Sequence, residues 1–140
     1  MPHPAGLPDV FVDRSLGRIR VPQLLRTAGL RLVTLAERYG VPADELVTDE
    51  IWLAEAGRRG ECVFMKDRRV RYNAAEKAAI LLHEVRCFCL GRRDLSAEAM
   101  ADRFLVNLDR IATACDERGG FLYVVHERRI ERLSLGSGNR

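Results

Sequence analysis

Five short apolar runs, separated by stretches of helical pattern, constrain this chain more than any other feature of its sequence. The runs are DVFVD (9–13), LRLVTL (30–35), ECVFMK (61–66), VRCFCL (85–90) and GFLYVVH (120–126). Each has the length and apolar character of a strand rather than of a buried helix. IRVPQLLRTA (19–28) reads as a helix with Pro22 in its first turn and Gly29 as its stop, and AERYG (36–40) as a brief helical turn. TDEIWLAEAGRRG (48–60) starts acidic and carries Arg58 and Arg59 near its end, as the helix dipole favours. NAAEKAAILLHE (73–84) opens with Asn73 three residues before Glu76, close to a capping box. A long helix is expected over 96–118, where Met100, Phe104, Leu108, Ile111 and Cys115 keep helical spacing. The segment RRIERL (128–133) either pairs with the last strand as an edge or runs free. Strand–helix alternation of this kind predicts an α/β domain with a mainly parallel, five-stranded sheet.

The 140 residues are 47% hydrophobic and 31% charged, which fits one domain over 1–140 able to bury a core without staples. The core is expected at about 9–133, with flexible termini at 1–8 and 134–140. The start MPHPAGLPDV lacks a basic region followed by an apolar one, so no signal peptide is expected. No run approaches the roughly 18 apolar residues of a membrane span, so no membrane partner is expected. Cys62, Cys87, Cys89 and Cys115 form no CxxC, and read as reduced core residues of a cytoplasmic protein. Net charge is +3, with 21 arginines against 2 lysines. The arginine fork suits phosphate, but GC-rich genomes produce the same bias, so it shifts the reading toward nucleic acid only slightly.

In a parallel sheet of order 2-1-3-4-5 the topological switch point lies between the first and third strands, and ligands gather at the carboxyl ends there. Asp13 ends the first run and Asp67 follows the third, among Lys66, Arg68, Arg69 and Arg71. Glu37 follows the second run, Asp49 opens the helix before the third, and Asp94 after the fourth is a second-tier candidate. Carboxylates converging on one cleft repel unless protons or cations neutralise them. Hard Mg²⁺ or Mn²⁺ takes oxygen ligands, lowers the pKa of bound water and stabilises charge on a leaving oxygen. The expectation is metal-dependent phosphodiester hydrolysis, with Asp13, Asp49 and Asp67 on the ion and Glu37 completing the set. Arg14, Lys66, Arg68, Arg69 and Arg71 are the expected phosphate contacts. Each acid has a structural rival: Asp13 and Asp49 as helix-start acids, Thr34–Glu37 as a capping box, and Asp67 in a solvated turn. His83 and His126 lack zinc spacing, and Trp52 reads as core rather than as a base-stacking ring.

The ordered segments FVDRSLG, VTLAERYG, TDEIWLAEAGRRG and CVFMKDRRVRY resemble the acidic motifs of PIN-like ribonuclease domains, and in particular the variant VapC-type toxins of actinobacterial toxin–antitoxin modules. The resemblance implies a three-layer α/β/α fold and a Mg²⁺- or Mn²⁺-dependent endoribonuclease acting on RNA. It also implies a cognate antitoxin protein and a possible homodimer. The family's acids map onto Asp13, Glu37, Asp49 and Asp67. Two departures stand out: Lys66 replaces an uncharged residue before Asp67, and the segment between Gly40 and Asp49 is short, which leaves Asp44 or Glu45 as substitutes for Glu37. The alternatives are a non-catalytic RNA- or protein-binding module and a receiver-like signalling domain. Asp13-Arg14 lacks the acidic pair a receiver needs, and Val125-His126 lacks its lysine.

Overall fold

A computed structural model describes residues 3–67 and 72–136 of the chain. One sheet has the order β2-β1-β3-β4-β5-β6, built from β1 Val10–Val12, β2 Leu32–Thr34, β3 Cys62–Met65, β4 Arg86–Cys89, β5 Phe121–Val125 and β6 Ile130–Leu133. The first five strands pair in parallel, in the expected 2-1-3-4-5 order. The sixth strand is one more than predicted. It pairs antiparallel with β5 because the four residues between them are too few for a crossover.

The helices are α1 Arg20–Thr27, α2 Leu35–Tyr39, α3 Asp49–Arg59, α4 Ala74–Leu82, α5 Ala97–Val106 and α6 Leu108–Ala114. Alternation along the strands divides the core into two layers. Val10, Val12, Cys62, Phe64 and Phe88 pack with α1, α5 and α6. Phe11, Val63, Met65, Cys87 and Cys89 pack with α2, α3 and α4. The result is the expected α/β/α arrangement, and all four cysteines are buried and outside any disulfide. Phe64 stacks on Phe104 with centroids 4.2 Å apart, and Phe11 stacks on Trp52 at 5.1 Å.

Two expectations need correction. The helix over 96–118 is two helices that meet at Asn107, a fully buried residue. Its Nδ2 donates to Arg103 O at 2.8 Å and to His126 O at 2.9 Å. An amide that ties the β5–β6 turn to the helix competes with the helical hydrogen-bond ladder, so the ladder breaks there. Residues 3–8, placed in a flexible terminus, carry packing instead: Leu7 is buried, and Arg31 N–H donates to His3 Nδ1 at 2.9 Å. That bond leaves His3 Nε2–H to donate to Leu7 O.

On the far side from α5, Arg38 of α2 pairs with Glu61 just before β3 through bonds of 2.8 and 2.5 Å. Both side chains are more than nine-tenths buried, and the guanidinium lies 5.1 Å from the Phe11 ring centroid. A buried pair is weak evidence of net stabilisation, but removing one partner strands the other charge. Glu61→Ala is therefore expected to lose about 3–5 kcal/mol, and the double change Arg38→Met with Glu61→Leu far less. Urea unfolding of the single and double variants measures the difference, and equal losses would contradict it.

Candidate metal centre

Parallel pairing sends the carboxyl ends of β1 through β5 to one edge, and the acids collect there. Asp13 directly follows β1, and its N–H bonds Phe64 O at 3.0 Å, which sets it against β3. It caps a single 3-10 turn (14–16): Asp13 Oδ2 accepts from Ser15 Oγ at 2.7 Å and from Ser15 N at 3.3 Å. Ser15 Oγ in turn accepts from Lys66 N at 2.9 Å. One hydroxyl thus fastens the end of β1 to the end of β3 and fixes the carboxylate. The other oxygen, Asp13 Oδ1, is buried and has no hydrogen-bond partner among the described residues. Burial raises the Asp13 pKa, the Ser15 bond pulls it back, and the nearby charge of Asp49 raises it again.

A cavity of about 400 Å³ opens at this point, lined by Asp13, Asp49 and Asp67 together with Ser15, Asn73 and Glu76. Three of the predicted acids therefore share one cleft. A further acid in it is Glu76, at a position where the sequence pattern predicts a helix-capping residue. The backbone half of that cap is present, with Glu76 N bonding Asn73 Oδ1 at 3.0 Å. The carboxyl group instead lies beside Asp49. Desolvation first, then the hydrogen bond and charge of Asp49, push its pKa to about 7. On the other side, Asp49 Oδ1 accepts from Trp52 Nε1 at 2.9 Å.

Several predicted site residues lie elsewhere. Glu37 completes a full capping box with Thr34 and pairs with Arg26 at 2.5 Å, a bond that depresses its pKa. Short polar helix starts satisfy their own backbone donors, and Glu37 is bound up in that task. Asp44 is buried against Arg18 at 2.8 Å, with Glu45 3.7 Å from the same guanidinium. Asp94 pairs with Arg92 in the loop after β4. Arg14 lines the cleft, but its Nη2 donates to Val47 O at 2.6 Å and Asp44 O at 3.2 Å, bracing the segment ahead of α3. Lys66 contributes its backbone N–H to Ser15. Arg68, Arg69 and Arg71 lie outside the described residues. An arginine does reach Asp67, from the loop after β4: Arg93 at 3.4 Å.

The cleft acids share a cavity without closing on a point, since among the described residues no three His, Cys, Asp or Glu groups form a ready metal cluster. Mg²⁺ nevertheless needs only one or two carboxylates and keeps several waters. Oxygen-only donors, a buried unpartnered Asp13 oxygen and a glutamate made to hold a proton by burial and by neighbouring acids fit a hard divalent cation.

The raised Glu76 pKa makes apo stability depend on pH. Above the ordinary value of 4.5 the unfolded chain loses this proton, while the folded chain keeps it up to about 7. Stability is therefore expected to fall as pH rises between those values, in the same direction as the Asp13 contribution. Glu76→Gln should flatten that slope and unfold at a higher temperature than the parent at pH 8. Melting curves in EDTA from pH 4.5 to 8 test this, and an unchanged slope would refute it.

Residues 8–92, which include every carboxylate of the cleft, match the family model of a PIN like domain. The chain is also 43% identical over 129 residues to "Putative ribonuclease VapC45" of Mycobacterium tuberculosis (strain ATCC 25618 / H37Rv), covering 92% of this chain and 94% of that protein. No solved structure matches the chain. Fold, cleft and sequence agree: the chain belongs to the PIN-like domain family, among its VapC-type members.

Proposed function

We propose that this chain is the toxin of a toxin–antitoxin pair, an endoribonuclease that hydrolyses RNA with Mg²⁺ or Mn²⁺. The observation that carries the reading is the buried, unpartnered Oδ1 of Asp13 in a cleft shared with Asp49, Asp67 and Glu76. The curated relative is named a ribonuclease, and its VapC name suggests an antitoxin protein as partner. Among the described residues no helix is long and apolar enough to cross a membrane. Buried cysteines outside any disulfide fit the reducing cytoplasm expected for such a protein.

Asp13, Asp49 and Asp67 would hold the ion, with Glu76 joining once its proton leaves. When bound, the ion supplies positive charge beside the scissile phosphate and acidifies water there. Ser15 keeps Asp13 Oδ2 engaged, so Oδ1 is the oxygen whose lone pairs remain unused. Asn73 also lines the cavity and offers a neutral amide donor for a phosphate oxygen. Arg92 and Arg93 stand exposed at the same sheet edge, where they attract a polyanion with salt-sensitive affinity.

Purified chain with Mn²⁺ is expected to cleave RNA, and EDTA to abolish cleavage. Asp13→Asn should reduce cleavage to background while raising the melting temperature of the apo protein, because it removes a buried, poorly satisfied charge. Mg²⁺ at 100 times its dissociation constant should stabilise the parent by about 2.7 kcal/mol and leave Asp13→Asn unmoved. Cleavage that survives EDTA would overturn the metal dependence, RNA left intact would point to a non-catalytic binding module, and a thermal shift equal in both proteins would put the ion at a different centre.

A further inference from the structure

Trp52 is the only tryptophan of the chain and is 2% exposed, wedged between α3 and the sheet with its ring stacked on Phe11. A buried indole N–H needs an acceptor, and a stacked ring cannot turn to find one. The acceptor is the carboxylate three residues earlier, Asp49 Oδ1 at 2.9 Å. Asp49 is the first residue of α3, where an acid ordinarily turns toward the free N–H groups of its own helix start. Thr48, the cap residue, makes no side-chain bond to those groups, and among the described residues none of them bonds the Asp49 carboxylate. The indole does. With one oxygen held by Trp52, the carboxylate faces the cavity and Glu76.

We infer that Trp52 is a positioning residue of the cleft: its indole N–H fixes the rotamer of Asp49, so that the other carboxylate oxygen is turned to the cavity and a bound metal rather than to the helix start. This rests on the metal-dependent reading above, and deepens it by adding an outer partner to one ligand. Partners of this kind, when removed, typically cost about 10–100-fold in metal affinity or activity.

A single tryptophan gives a single indole N–H resonance, which reports the bond without any need for turnover. In the ¹⁵N-labelled full chain that resonance is expected to move upfield in Asp49→Asn, and to shift saturably when Mg²⁺ alone is added to the parent. Trp52→Phe keeps an aromatic ring on Phe11 but removes the donor. It should raise the Mg²⁺ concentration for half-maximal RNA cleavage about 10–100-fold and leave the KM for RNA unchanged. Replacing Trp52 with its sulfur isostere, benzothienylalanine, preserves shape and should reproduce the same metal shift, which a purely structural role would not. An indole resonance that ignores both Asp49→Asn and Mg²⁺ would overturn the inference, as would an isostere with the parent's metal dependence. If the parent cleaves no RNA, the nuclease reading fails, while the indole response to Mg²⁺ and to Asp49→Asn still decides this one.

Discussion

The pairing of β1 with β3 governs the rest of this structure. Val12 lies in register with Phe64, and one residue further on the Asp13 N–H closes onto Phe64 O. Because the two strands run parallel, their carboxyl ends emerge side by side, and Asp13 and Asp67 line one cavity although far apart in the chain. Parallel strands require crossovers, and the crossover between β1 and β3 is where β2 and α3 are made. Asp49 therefore reaches the cleft on the start of α3. Glu76 reaches it in the same way, on the start of the helix that follows β3. The cleft is a consequence of topology before it is a consequence of any one residue.

Among the described arginines, Arg14 lines this cleft and most of the others are engaged elsewhere. Arg18, Arg20, Arg26, Arg31, Arg92, Arg118 and Arg132 each pair with an acid, and the helix-end Arg58 and Arg59 both turn back to Glu55. Pairs as exposed as most of these contribute little to stability, because water screens them. Their larger effect is on the potential, since the acids they offset all lie outside the cleft. Arg38–Glu61 is different in kind, because both charges are buried and neither can be left alone.

Much of this was legible in the sequence. Alternating apolar runs and helical stretches led to the strand order, and strand order led to Asp13, Asp49 and Asp67. The reading went astray where one local pattern had two outcomes. Thr34 with Glu37 and Asn73 with Glu76 are both cap residues followed by a glutamate three positions on. The first pair closes a full capping box, while the second keeps only the backbone half and turns its carboxyl toward Asp49. Nothing local separates them. What separates them is that α4 starts at the carboxyl end of β3 and packs on α3, a tertiary fact that strand order could have supplied. The break at Asn107 was hidden for a related reason: apolar spacing runs through it, and its bond to His126 O joins residues 19 positions apart.

How the cleft manages its charge argues for what it holds. Among the described residues three devices soften the repulsion at its carboxylates: two neutral donors, the Ser15 hydroxyl on Asp13 and the Trp52 indole on Asp49, and the proton that removes the charge of Glu76. Neutral donors orient a carboxylate without cancelling its charge. Cations do approach the rim. Arg93 touches Asp67 at 3.4 Å, and Arg14 turns its Nη2 to main-chain carbonyls. Neither provides a partner for Asp13 Oδ1. A structural ion pair at the centre would have made these acids permanent scaffolding, as it does for Glu61. Fixing their orientation while leaving their charge standing suits a site that exchanges a proton for a divalent cation.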